Sequence, residues 1–256
     1  MTFFKYHGTG NDFILFDNRD AILRLSQEQI AHLCNRHMGI GADGLMLLQN
    51  EPGYDFRMVY YNSDGNESTM CGNGGRCMVA FAKSLGLTDS MASFIAIDGP
   101  HTATLNSNGK ISLQMQNVSD ITIHKYHTIL NTGSPHYVKF VSNVKAVDVV
   151  QEGRKIRNQP EFHPAGINVN FVQLNNGKLA VRTYERGVED ETLSCGTGVT
   201  AAAIAATALF EGQFETNIET PGGKLSVTFH KDTPNTAKEV VLTGPAQFVF
   251  KGEIEI

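Results

Sequence analysis

The sequence has no apolar run of about eighteen residues and no cationic leader followed by an apolar core, so neither a membrane span nor a secretory signal is expected. The expected compartment is the cytoplasm. It has no run of Lys or Arg, and its formal net charge is −5, which argues against a surface that tracks phosphates. The expected partner is a small molecule, with no nucleic acid and no membrane. Cysteine is scarce. Cys34, Cys71, Cys77 and Cys195 are too few and too scattered for a disulfide framework in a chain this long, and reduced thiols are expected. Metal-hook spacing is also missing, because Cys71 and Cys77 stand further apart than the usual short zinc loop allows. A structural zinc module built from Cys71, Cys77, Cys195 and a histidine is the non-enzymatic alternative. Bound zinc per chain separates it from an enzyme.

What is present is a motif that occurs twice. Met70-Cys71-Gly72-Asn73-Gly74-Gly75-Arg76-Cys77 runs into the small apolar stretch 78–82, and Ser194-Cys195-Gly196-Thr197-Gly198-Val199 runs into the alanine-rich stretch 200–206. Each reads as a thiol at a helix start, where glycines let the backbone approach a ligand and the first-turn N–H groups suit an anion. The same field favours a thiolate that acts as a base. One such cysteine alone is equally well read as buried and structural. The repeat changes that balance, since the two motifs lie 124 positions apart (195 − 71) and other pieces recur near that offset. Thr9-Gly10-Asn11-Asp12 answers to Thr132-Gly133-Ser134-Pro135, and 97–100 answers loosely to 219–222. Two copies of one α/β unit are expected. A twofold arrangement would bring two thiol-bearing helix starts to one cleft, which suits a two-base reaction.

Along the chain, residues 2–17 read as strand, tight loop and strand. Asn11 sits at the loop tip, where a good turn former also carries an amide suited to ammonium and carboxylate groups. Ser26 with Gln29 predicts a capping box, with Ile30, Leu33, Cys34 and His37 on one face of a helix that stops at Gly39. Cys34 is expected in the core and His37 at the helix end. The spacing predicts apolar helices over 74–85 and 198–210, a short amphipathic helix over 147–157, an acidic loop at 189–191, and strands elsewhere. The first half closes near Val118. The expected domains are 1–118, completed by the strand 246–256, and 119–245. The expected class is α/β (α+β), each domain a mixed, mostly antiparallel sheet wrapped round a central apolar helix.

Gly8-Thr9-Gly10-Asn11-Asp12-Phe13, Asn62-x-Asp64-Gly65, the Cys71 motif, and Glu185-Arg186-Gly187 with Cys195-Gly196-Thr197-Gly198 together closely resemble the diaminopimelate epimerase family, over nearly the whole chain. The resemblance implies a homodimer of two-domain subunits that interconverts LL- and meso-diaminopimelate without a cofactor or metal, in lysine and peptidoglycan precursor synthesis. By motif it implies Cys71 and Cys195 as the acid/base pair, tuned by His136 and Glu185. Gly72, Asn73, Gly196 and Thr197 would hold the reacting carboxylate. Asn11, Asn62, Asn168 and Arg186, with the Glu185 backbone, would hold the remote amino acid end. Two positions depart from the pattern. Some members carry Gln where this chain has Gly44, and many carry Asn where it has Ser134.

Inverting a stereocentre by proton transfer needs a base on one face and an acid on the other, and two cysteines meet that need. Proline racemase-like enzymes share the Cys-Gly-x-Gly motifs and are the enzymatic alternative. Their monocarboxylate substrate gives Arg186 and the asparagines no second charged end to bind. The phenazine-type isomerases share the shape but lack the cysteine pair. Cys77 is expected in the core.

Overall fold

A computed structural model describes residues 1–255. The chain divides into two units, Met1–Leu113 with Gly244–Ile256, and Gln114–Thr243.

The first unit begins with β1 (Thr2–Gly8) and β2 (Asn11–Asp17), an antiparallel hairpin closed by Thr9 and Gly10 with φ of 52° and 87°. Then come α1 (Gln27–Cys34), β3 (Gly44–Gln49), β4 (Phe56–Asn62), β5 (Glu67–Ser68), α2 (Gly72–Ser84), β6 (Met91–Ala96), β7 (Gly99–Leu105) and β8 (Ile111–Gln114). β2 pairs with β3 in parallel and β4 with β6 in parallel, and the other pairings are antiparallel. Phe13 to Phe16 and Leu45 to Leu48 are apolar without alternation because both sheet faces are covered. Ile14, Phe16, Leu45 and Leu47 pack with Ile30 and Leu33 of α1. Met46 and Met58 reach Gly74 of α2. That central helix packs on β1 to β4 and β7.

The second unit repeats the plan. β9 (Thr122–Ile123), β10 (Thr128–Asn131), β11 (Pro135–Phe140), α3 (Val149–Arg157), β12 (Asn168–Asn175), β13 (Lys178–Glu185) and β14 (Asp190–Thr192) precede the central α4 (Gly196–Ala206), and β15 (Gly212–Thr220), β16 (Gly223–Lys231) and β17 (Lys238–Gly244) follow. Again two pairings are parallel, β11 with β12 and β13 with β15. Even the register recurs, with Phe13 opposite Gly44 and His136 opposite Asn168. Tyr137, Val149, Ile156, Val169 and Tyr184 form the core under α3. α4 is apolar all round and nearly all buried, as a wrapped helix must be. Finally β18 (Gln247–Glu253) returns to pair antiparallel with β1. No helix among the described residues is long and apolar enough to cross a membrane. The α/β class, built of two duplicated units each wrapped round one apolar helix, is as expected.

Several local expectations need correction. The central helices start at Gly72 and Gly196, two residues before 74 and 198, because Cys71 and Cys195 are themselves the N-caps. α4 ends at Ala206 and not at 210. Lys231 Nζ donates to the Thr207 and Ala208 carbonyls at 3.0 and 3.3 Å, and Leu209 and Phe210 point to solvent. α1 ends at Cys34, since Asn35 Oδ1 accepts from the His37 and Met38 N–H groups at 2.9 Å and turns the chain. His37 is therefore off the helix. The acidic stretch 189–191 contributes to a strand, β14, paired with β13. α3 starts at Val149 behind an Asp148 cap rather than at 147.

Candidate active site

In the first unit Cys71 caps α2 in an extended conformation (φ −100°, ψ 145°), and its Sγ accepts from the Gly74 N–H at 3.1 Å. The helix-start field and this donor favour negative charge on the sulfur. Gly74 keeps this approach close, because a Cβ there would sit 3.1 Å from the sulfur and 3.3 Å from Met46 Sδ and would push one of them away. Gly72 and Asn73 follow, buried, in the turn whose N–H groups the helix cannot satisfy by itself. One turn on, Arg76 is wholly buried, with no carboxylate among its hydrogen-bond partners in the described residues. It donates to the Gly72 carbonyl (2.9 Å), Asn73 Oδ1 (2.8 Å), Thr9 Oγ1 (3.5 Å) and the Pro245 carbonyl (3.4 Å). Burial lowers its pKa to about 10, so it remains a cation at neutral pH.

Asn11 joins this group, its Oδ1 accepting from Asn73 Nδ2 at 3.3 Å. Behind it, Asp12 is held by Lys5 and Arg36 at 2.7 Å each. Burial alone would raise the Asp12 pKa, but Arg36 and Lys5 outweigh it and hold it at about 2. Asn62 is the last residue of β4, half-buried, opposite Gly44. Gly44 offers no side chain, and none fits, since a Cβ would lie 2.6 Å from Tyr60 Cε2 and from the Tyr61 carbonyl.

In the second unit Cys195 caps α4 and is 7% exposed. Its Sγ lies 3.4 Å from Thr197 Oγ1, and Thr132 Oγ1 donates to the Thr197 carbonyl at 2.9 Å. Gly198 is required, for a Cβ would lie 2.4 Å from Asn170 Oδ1. Asn170 fixes His136. Its Nδ2 donates to the Tyr137 carbonyl (3.2 Å) and faces His136 Nδ1 (3.0 Å), while its Oδ1 accepts from Thr183 Oγ1 (2.9 Å). Nδ1 must therefore be the bare acceptor and Nε2 must carry the proton. Nε2 has no hydrogen-bond partner among the described residues. Burial first, and Arg186 second, push this imidazole down to about 3, so it is neutral.

Asn168 Nδ2 donates to Ser134 Oγ (2.8 Å) and the Pro135 carbonyl (3.0 Å), and its Oδ1 accepts from the Arg186 N–H (2.9 Å). Both amide hydrogens of Asn168 are committed inside the protein, so its clearest task here is to set Ser134 and Arg186. Ser134 accordingly serves as an acceptor for Asn168. Among the described residues the Arg186 guanidinium makes only long contacts, 3.5 Å to Ser134 Oγ and to the Ala165 carbonyl. Glu185 Oε2 accepts from Thr192 Oγ1 at 2.8 Å.

The structure thus gathers Cys71, Gly72, Asn73 and Asn11 in the first unit, and Ser134, His136, Asn168, Glu185 and Arg186 in the second, where Cys195, Gly196 and Thr197 form the start of α4. Sequence reasoning missed Arg76, Asn170 and Asp43, whose Oδ2 accepts from Asn11 Nδ2 at 2.6 Å, as parts of these clusters. Asn170 had a signal, because it shares a strand face with Asn168 in an otherwise apolar run. Cys34 and Cys77 are buried core residues. Burial raises both thiols, Cys34 to about 12. Among the described residues no group of three or more His, Cys, Asp or Glu side chains is placed to hold a metal ion.

Known proteins fit this geometry at two levels. The solved structure of a phenazine biosynthesis protein of the PhzF family from Bacillus anthracis is similar with a TM-score of 0.75 at 15% identity, covering 100% of this chain and 99% of that one. A probable proline racemase from Agrobacterium radiobacter is similar with a TM-score of 0.70 at 15% identity, covering 100% and 93%. Such likeness speaks for the fold alone. Diaminopimelate epimerase of Flavobacterium psychrophilum is 54% identical over 99% of this chain and 100% of its own length. That of Chlorobaculum tepidum is 40% identical over 97% and 99%. The family model described as diaminopimelate epimerase matches residues 3–120 and 128–249. With both thiol-capped helices inside the matched residues, the chain belongs to the diaminopimelate epimerase family.

Proposed function

We propose that this protein epimerises LL-diaminopimelate to meso-diaminopimelate by a two-base reaction in lysine and peptidoglycan precursor synthesis. The observation that carries the reading is the pair of cysteine-capped helix starts, one in each unit, on a chain 54% identical to a diaminopimelate epimerase. One thiolate takes the α-proton and the other thiol returns a proton to the opposite face, so the two exchange roles with substrate handedness. The carbanion places charge on its carboxylate, which suits the first-turn N–H groups of Gly72, Asn73, Gly196 and Thr197. His136 and Glu185 tune the thiols. His136 offers a neutral Nε2–H that donates without adding charge. Asn11, Asn62, Asn168 and Arg186, with the Glu185 backbone, bind the remote amino acid end. Arg186 suits a distal carboxylate, since a guanidinium can donate two parallel hydrogen bonds. The two units are the two epimerase domains, and no cofactor or metal takes part.

The test is deuterium uptake from heavy water into LL-diaminopimelate and proline in parallel. Uptake at the α-carbon of diaminopimelate with formation of the meso isomer is expected, and proline should stay unlabelled. Efficient racemisation of proline would move the protein to the proline racemase-like alternative.

We also infer a homodimer working in the cytoplasm. β18 pairs antiparallel with β1, and it exposes Phe248, Val249 and Phe250 in succession. Such an edge calls for cover. Sedimentation should give twice the 28.0 kDa chain mass, and Val249→Lys should return the single-chain mass. Four cysteines, too few and too scattered for a disulfide framework, suit a reducing compartment.

A further inference from the structure

Two side-chain amides in the first unit are held end to end between charged groups of opposite sign. Arg76 only donates, so Asn73 must turn its Oδ1 toward Nη2 (2.8 Å) and its Nδ2 away. Asn73 Nδ2 then donates to Asn11, whose Oδ1 must accept (3.3 Å), leaving Asn11 Nδ2 to face the opposite way. There it meets Asp43 Oδ2 at 2.6 Å. The same oxygen accepts from the Asp12 N–H at 3.2 Å, and Asp43 Oδ1 accepts from Arg36 at 2.8 Å. Either amide flipped end for end would set a donor against a guanidinium or an acceptor against a carboxylate.

We propose that Asp43 and Arg76 are positioning residues that lock the amides of Asn11 and Asn73 in one orientation and so decide which atoms the binding site presents to its amino acid substrate. Neither touches the reacting atoms. The assignment rests on the epimerase reading for what the amides bind, but the hydrogen-bond order stands without it. The two ends differ in depth. Arg76 is wholly buried, whereas the Asp43 side chain is 43% exposed, so Asp43 is the end that can be altered without opening the core.

The experiment is a double-mutant cycle with a spectroscopic readout. Asp43→Ala should lower kcat/KM for LL-diaminopimelate about tenfold, mostly through KM, as loss of a charge-assisted hydrogen bond does. In an Asn11→Ala background it should cost less than about twofold more, because Asp43 then has nothing left to orient. Asp43→Asn keeps an acceptor oxygen and should recover part of the loss. In the unliganded protein labelled with 15N-asparagine, the side-chain amide signals of Asn11 and Asn73, assigned by their loss in Asn11→Ala and Asn73→Ala, should both move in Asp43→Ala. Additive losses in the cycle, or an Asn73 signal unmoved in folded Asp43→Ala and Asp43→Asn proteins, would overturn the proposal. If wild-type protein leaves diaminopimelate unchanged, the epimerase reading fails, and the amide signals still decide the relay.

Discussion

The two units share strand order, parallel pairings, register and a cysteine at the start of the central helix, yet what stands behind each cysteine differs. At the position 124 residues on from Arg76 (200 − 76) stands Thr200, which merely returns its hydroxyl to the Gly196 carbonyl at 2.9 Å. At the position 123 residues on from Phe13 (136 − 13) stands His136, neutral and buried. One cluster is therefore built round a buried cation and the other round a buried neutral donor. Duplication kept the parts set by backbone geometry, namely the cap, the glycine at the third helical position and the flanking turns. Side-chain chemistry then diverged. For a reaction whose two thiols serve as acid and base in turn, unequal surroundings allow one sulfur to be charged while the other is protonated.

The comparison breaks most sharply at the thiols. Cys71→Ala and Cys195→Ala should each reduce epimerisation by about a thousandfold or more, since each removes one obligatory proton-transfer group. Cys77→Ala should remain active. Turnover and urea unfolding of all three variants check this, and near-native activity in either of the first two would remove that thiol from the mechanism.

The next contrast lies one turn into the helices. Arg76→Met withdraws donors from the Gly72 carbonyl and Asn73 Oδ1 and should cost about 2 kcal/mol, after relief of guanidinium desolvation offsets part of the loss. Thr200→Val gives up one hydrogen bond and should cost about 1 kcal/mol. Urea unfolding measures both. Equal losses would mean that the cation is no more tightly built in than the hydroxyl.

The last contrast is a slope with pH. His136 has its pKa lowered from 6.5 to about 3 in the folded protein, so below pH 6.5 the unfolded chain takes up a proton that the folded one refuses. Stability should fall as pH drops from 6.5 toward 3, by at most about 1.4 kcal/mol per unit from this group. His136→Gln should flatten that slope. Asp12 runs with the same sign in a lower window: its pKa is lowered from 3.8 to about 2, so its contribution is present above 3.8 and lost as pH falls through 2. Denaturant midpoints between pH 7 and 4 separate the histidine from the carboxylate.

Where sequence reading succeeded and where it failed follows the range of the interactions. Ser26 with Gln29 marked a capping box that is present in full, because its partners lie three residues apart. The thiol helices were found by their glycines and apolar runs, but each start was placed two residues late, since a cysteine cap has no strong sequence signature. The end of α4 was misplaced because Lys231, which holds the carbonyls there, lies 24 residues beyond Thr207.

By itself the sequence determined the duplication, the α/β class, the two apolar helices that follow the thiols and the membership of a family, because each is written in local periodicity, turn chemistry or a contiguous motif. Only the tertiary structure decided that Arg76 is a buried cation, that Asn170 fixes the His136 proton on Nε2, and that Asp43 faces Asn11 across 32 positions of sequence. Those facts depend on desolvation and on which donor meets which acceptor. Neither quantity exists until distant segments have packed.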